Sequence, residues 1–213
     1  MSFNTNIRLD SKKTKKPKLL DLNELGEEIT EDLINLTTPL TKRKVLSFMQ
    51  SQYDPLGLVG PLLLIGKLML RKLYGEDFTL GWDDPLPPKL AKGWLVFIAE
   101  IIRMGPFVFP RTLVQEDTRE IWMVAFFDGS TKAHSAVVYL RVRNIDAWGQ
   151  QSIDSNLLLA KCRVSPLAGT TVPRMELQGM LQASRLMLTV ARAMPLRCQR
   201  AVLAGDSMCS LMS

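Results

Sequence analysis

Apolar residues in this chain change from a mainly helical to a mainly strand-like spacing near residue 112. Before that point the spacing is helical. Thr41 to Gln52 places Val45, Leu46, Phe48 and Met49 on one face, with Thr41 as N-cap. Asp54-Pro55-Leu56-Gly57 ends it as a turn. A second helix is predicted over Leu62–Tyr74, with Leu62, Ile65, Leu68, Met69 and Leu73 in register and Lys67, Arg71 and Lys72 among the polar positions. The Pro-rich run from Gly81 to Pro88 breaks the pattern, and Lys89–Arg103 resumes it with Trp94, Phe97, Ile98 and Ile101 on one side. Upstream, Phe3 to Leu9 alternates weakly, as an edge strand before a loop would. Residues 21–36 are acidic with spaced Leu and Ile, a weak amphipathic pattern.

Beyond residue 112 the pattern is that of strands. Glu120–Asp128 and Ala133–Arg143 are predicted strands joined by the turn Gly129-Ser130-Thr131-Lys132. Ile145 to Ser155 is polar and reads as a loop, and Asn156–Val164 reads as the third strand of an antiparallel meander. Pro173–Met194 follows as a long helix, with Thr171 or Val172 at its cap. Leu177, Met180, Leu181, Leu188 and Ala191 form the expected sheet-facing stripe. Arg200–Gly205 is a fourth strand, which a crossover would pair parallel to an earlier one. The fold class expected is α/β: a mixed sheet in the order β-β-β-α-β over residues 113–213, preceded by a mainly helical α+β part over residues 1–112.

Composition adds bounds to this picture. A hydrophobic fraction of 46% over 213 residues supports a core, and a formal net charge of +6 favours polyanionic partners. Much of the excess sits in Lys12, Lys13, Lys15, Lys16 and Lys18. Cys162, Cys198 and Cys209 are odd in number and widely spaced, which argues for a reducing compartment and against a disulfide framework. No C-x-x-C pair supports a zinc site with His134. The start carries no signal-peptide pattern, so an intracellular location is expected, and the apolar stretch Pro55–Leu70 is short and interrupted for a membrane span.

Candidate chemistry lies in three acidic residues at three kinds of element end. Asp128 closes the apolar run Ile121–Phe127, Glu176 follows the helix start Val172-Pro173-Arg174-Met175, and Asp206 closes the run Ala201–Gly205. Singly, each is an ordinary turn or capping residue. Together, in this order of elements, they are a way of gathering carboxylates from distant sequence. Oxygen ligands without His or Cys suit hard cations such as Mg2+ or Mn2+. Two such ions serve phosphodiester hydrolysis. Glu176 is placed near the positive end of its helix.

The β-β-β-α-β order with these carboxylates resembles a ribonuclease H domain. Several further motifs are similar to Bel-Pao retrotransposon polyproteins: Thr41-Lys42-Arg43-Lys44-Val45-Leu46-Ser47, Tyr53-Asp54-Pro55-Leu56-Gly57-Leu58, Leu80-Gly81-Trp82-Asp83-Asp84-Pro85-Leu86-Pro87, Ala160-Lys161-Cys162-Arg163-Val164-Ser165-Pro166-Leu167 and Val172-Pro173-Arg174-Met175-Glu176-Leu177. The resemblance runs from about residue 3 to the C-terminus. It implies that residues 1–112 correspond to the end of a reverse transcriptase, its thumb and connection, and residues 113–213 to an incomplete ribonuclease H domain. It also implies cleavage of the RNA strand of RNA–DNA hybrids with Mg2+ or Mn2+ held by Asp128, Glu176 and Asp206. Lys132, Arg163 and Arg174 are the substrate-contact candidates. The implied partners are nucleic acid and the rest of the pol polyprotein, including integrase, in the cytoplasm (virus-like particles) or the nucleus, with no membrane.

The sequence departs from the family pattern in two places. Phe127-Asp128-Gly129-Ser130 stands where Ser-Asp-Ala-Ser is usual, and Ala204-Gly205 precede Asp206 where a Trp is usual. The fourth family carboxylate has no counterpart after Asp206, so the chain by itself is expected to be inactive or nearly so. Two other readings compete. An aspartic peptidase would need Asp-Thr-Gly or Asp-Ser-Gly, whereas Asp128-Gly129-Ser130 has the order reversed and Met208 follows Asp206-Ser207. A non-catalytic nucleic-acid-binding relic is the other. A Ser-His-Asp hydrolase is poorly supported, because the single histidine, His134, sits where a strand begins.

Overall fold

The computed structural model describes residues 2–3, 39–74, 79–104, 107–108, 113–194 and 197–206. The acidic segment 21–36 and most of the expected N-terminal strand lie outside them. Contacts divide the chain into two compact units, Met1–Tyr53 with Ile65–Phe109 and Asp54–Leu64 with Pro110–Ser213.

The first unit is mainly helical. β1 (Ser2–Phe3) pairs antiparallel with β2 (Phe107–Val108). α1 spans Lys42–Ser51, and the Thr41 hydroxyl accepts from the Lys44 amide at 3.3 Å, the expected cap. α2 covers Gly60–Leu73, with residues 65–73 in this unit, and α3 covers Pro88–Arg103, with Pro87 and Pro88 at its start, where a missing N–H costs nothing. Val45, Phe48, Trp94, Phe97, Ile98 and Ile101 are buried, as the helical spacing requires, and Trp94 meets Phe97 edge-on at 5.6 Å. The loop before α3 is tied back by the Leu86 amide donating to the Leu40 carbonyl at 2.8 Å and by Arg43 forking onto Asp83.

The second unit is α/β. Its four-stranded sheet has the order β5-β4-β3-β6, built from β3 (Thr118–Gly129), β4 (Ala133–Ile145), β5 (Gln151–Val164) and β6 (Arg200–Ala204). β3, β4 and β5 form the antiparallel meander, and β6 runs parallel to β3 after the helix α4 (Val172–Ala193). Alternate residues of β3 and β4 (Met123, Ala125, Phe127; Ala136, Val138, Leu140, Val142) pack with Ala183, Leu186 and Val190 of α4 into one core. That period-two burial is the one the sequence shows.

The opposite face of β3 bears Trp122, Val124 and Phe126. The guanidinium carbons of Arg141 and Arg200 each lie 4.7 Å from the Trp122 ring centroid. On β5 the Ala160 amide donates to the Leu56 carbonyl at 2.7 Å, which brings segment 54–64 into this unit.

Two expectations are corrected. Residues 151–155 are strand rather than loop: Gln151 to Ser155 pair with Ile145 to Arg141. All five are exposed and are held by the backbone ladder and by the buried Asn144 side chain, whose Nδ2 donates to the Asp154 carboxylate at 2.9 Å, and no apolar alternation marks them. The turn closing this hairpin is fixed by the Asp146 carboxylate, which accepts from the amides of Trp148 (2.9 Å) and Gln150 (2.8 Å), with Gly149 at φ 81°. The inward stripe of α4 is not the leucine one. Met175, Gly179, Gln182, Ala183, Leu186 and Val190 are buried, whereas Leu177, Leu181 and Leu188 are exposed. Gly179 and Ala183 lie on this face because the helix runs close against the backbone of β3, and Met180 packs against the core as expected.

Candidate metal centre

Each of the three carboxylates sits at the same end of the sheet. Asp128 is the eleventh of twelve residues in β3 and lies exposed on the face away from the core, between buried Phe127 and Gly129. The parallel ladder ends at Phe126↔Ala204, so Asp128 and Asp206 each lie two residues beyond the last pair. Strands paired in this way run about 4.8 Å apart. Asp206 is exposed just past β6.

Glu176 reaches this edge through a close approach of helix to strand. A Cβ on Gly129 would overlap the Met175 carbonyl group and the Glu176 amide. One turn on, a Cβ on Gly179 would stand 2.9 Å from the Asp128 carbonyl oxygen. Two glycines, one on each element, therefore let α4 start against the tip of β3. One detail of the expectation shifts. α4 begins at Val172, so Glu176 is its fifth residue, and the first turn holds no acidic side chain. The helix dipole therefore does less for Glu176 than its sequence position implies.

The Asp128 carboxylate accepts from the Gly129 amide at 2.7 Å. The hairpin tip beside it is ordered by Ser130: its hydroxyl accepts from the Ala133 amide at 3.2 Å, and its amide donates to the Ala133 carbonyl at 2.8 Å. The Ser165 amide donates to the Lys132 carbonyl at 2.9 Å, fixing the end of β5 to the same tip. Lys132 in that turn, Arg163 near the end of β5 and Arg174 in the first turn of α4 are all exposed at this edge.

Asp128, Glu176 and Asp206 carry carboxylate oxygens on three elements, the donor class that hard divalent cations take. The side chains as they stand do not close on a common point. Among the described residues no group of three or more His, Cys, Asp and Glu side chains is gathered closely enough to hold a metal ion. No helix among them is long and apolar enough to cross a membrane.

Sequence reasoning gave no role to two buried polar residues behind this edge. His134, the second residue of β4, pairs with Arg163, and Gln182 of α4 donates through Nε2 to the Lys161 carbonyl at 2.6 Å. His134 was placed at a strand start, but its burial against a polar helix residue has no signature in the apolar pattern.

Comparison with known proteins gives a family. No curated protein matches the chain. The family model described as Pao retrotransposon-like RNaseH-like domain matches residues 41–207, well over half of the chain and spanning residues of both units. The meander, the crossover helix and the parallel fourth strand agree with that description, and the chain belongs to the Pao retrotransposon-like RNaseH-like domain family.

Proposed function

We propose that this chain is the ribonuclease H-type portion of a retrotransposon pol polyprotein, acting on the RNA strand of RNA–DNA hybrids. The observation that carries the reading is the meeting of three elements at one edge: Asp128 and Asp206 two residues past a parallel pair, and Glu176 on a helix that starts against Gly129. Asp128, from the central strand, Glu176 and Asp206 are the residues that would hold the divalent ions. Divalent ions held there would supply an activated water and charge neutralisation at the leaving 3′ oxygen.

The chain's own residues have simpler tasks. The carboxylates hold negative charge at a fixed edge, and Lys132, Arg163 and Arg174 attract and orient the phosphate backbone. The open spacing of the carboxylates fits a chain with little activity of its own, in which further ligands from the polyprotein draw the side chains together. The helical first unit is assigned to the thumb and connection of the adjoining reverse transcriptase, with Lys67, Arg71 and Lys72 tracking the duplex.

The test is a Mn2+ titration of the purified chain against Asp128→Asn, Glu176→Gln and Asp206→Asn, followed by cleavage of a labelled hybrid. The reading expects at least tenfold weaker metal binding in Asp128→Asn and a steep fall of hybrid binding with salt. Equal Mn2+ affinity in all four proteins ends it. Strong Mg2+-dependent cleavage by the isolated chain would keep the site but refute the expected low activity.

A further inference from the structure

Two buried polar atoms on facing elements lack a partner: His134 Nδ1 and Gln182 Oε1. Both residues are nearly closed off, at 9% and 7% exposure. His134 shares the inner face of β4 with Ala136, Val138 and Leu140, all buried beneath α4. Ala136 is the register partner of Lys161, whose carbonyl accepts from Gln182 Nε2. That bond fixes the amide: with nitrogen on Lys161, the oxygen is the end left over. A buried carbonyl oxygen and a buried ring nitrogen are each costly alone and cost little if one donates to the other.

We infer that His134 is held as the Nδ1–H tautomer donating to Gln182 Oε1, so that His134, Gln182 and the Lys161 carbonyl form one polar clamp across β4, α4 and β5. Two further facts support a neutral ring in contact with Gln182. Burial first, and Arg163 second, hold His134 below its ordinary range, while the nearby Gln182 side chain pulls the other way. A neutral imidazole has one N–H to place, and the acceptor decides where.

The clamp makes His134 and Gln182 positioning residues. Gln182 follows Glu176 by six residues on α4, and His134 is the register partner of Gly129. Apolar packing tolerates small slides of a helix along a sheet, whereas a directional bond does not. The clamp sets how far α4 sits along β4 and therefore where Glu176 meets the tip of β3. This consequence for Glu176 rests on the metal-site reading; the tautomer does not.

The test uses the full 213-residue chain, in which His134 is the single histidine, so its ring nitrogens give isolated signals. Long-range 1H–15N correlation at neutral pH should show the Nδ1–H tautomer, and Gln182→Met should turn it into a mixture. His134→Asn places an amide nitrogen where Nδ1 stood; His134→Gln places it at Nε2. Amide exchange protection over the first two turns of α4 should stay within about threefold of wild type in His134→Asn and fall at least tenfold in His134→Gln. An Nε2–H tautomer in the wild-type chain overturns the proposal, as does equal protection in the two variants. Failure of the wild-type chain to bind Mn2+ would sink the metal-site reading and leave these signals to judge the clamp.

Discussion

Gly129→Ala gives the most direct reading of how the carboxylate edge is built. Gly129 is not among the glycines with positive φ, so an added methyl meets no backbone conflict of its own. In an open place it would stabilise by about 0.4–1 kcal/mol through the unfolded chain. Here the methyl falls inside the Met175 carbonyl group and the Glu176 amide, and both are main-chain atoms of a 22-residue helix. Rotamer changes cannot relieve that overlap, so the helix start must move. Overpacking of this kind costs about 1–3 kcal/mol, and immovable neighbours place it toward the upper end. Net of the entropic gain, a loss of about 2 kcal/mol is expected, which for a domain near 100 residues lowers Tm by about 8–16 °C. Calorimetry on the intact chain measures it. Gly149→Ala is the control, because nothing lies within 4 Å of that Cβ and its cost comes only from φ 81°. Mn2+ affinity should fall in Gly129→Ala and hold in Gly149→Ala. A Gly129→Ala protein melting within 2 °C of wild type would refute the argument that helix and strand meet there without room for a side chain.

Other outcomes follow from the same structure. His134 is held below its ordinary pKa of 6.5, so the unfolded chain takes up a proton first as pH falls. Its contribution to stability is complete above about pH 6.5 and declines as pH drops from there toward the lower folded value, so urea midpoints should fall more steeply over that window in wild type than in His134→Asn. Leu140 is fully buried under α4, and Leu140→Ala should cost about 2–5 kcal/mol in urea unfolding. Arg43 and Asp83 form a close pair, but their side chains are 59% and 73% exposed, so Arg43→Ala should leave the thermal midpoint unchanged in physiological salt. Cys162 is buried, so a thiol reagent should label it only on unfolding.

Most of the second unit was legible because its strands alternate. Met123, Ala125 and Phe127 announce an inward face, and the Gly129–Lys132 turn and the Pro173 helix start punctuate the elements. The helical residues Val45, Phe48, Trp94, Phe97, Ile98 and Ile101 were equally readable, since burial follows their spacing. The start of β5 was not, because Gln151 to Ser155 are held by backbone pairing to β4 and a polar Asn144–Asp154 contact rather than by buried apolar side chains. The inner face of α4 was misread for a related reason. Leucine at 177, 181 and 188 carries the stronger apolar signal, yet Gly179 and Ala183 are what a close backbone approach demands. The order of carboxylate-bearing elements was readable; the positions of the carboxylate side chains depend on rotamers and neighbours that no spacing encodes.

The pairing of β6 with β3 sets an order of assembly. The meander is built from neighbouring sequence, but β6 reaches β3 only after more than seventy intervening residues have been made and α4 has been laid down. β6 is five residues long and mostly exposed, and its entry is secured by Gln199, whose amide donates to the Ile121 carbonyl and whose side chain accepts from the Ile121 amide. The meander with Asp128, and α4 with Glu176, can therefore form before β6 brings Asp206. Whatever Asp206 contributes arrives only when β6 docks, and fraying of β6 alone would remove it while the meander stayed intact.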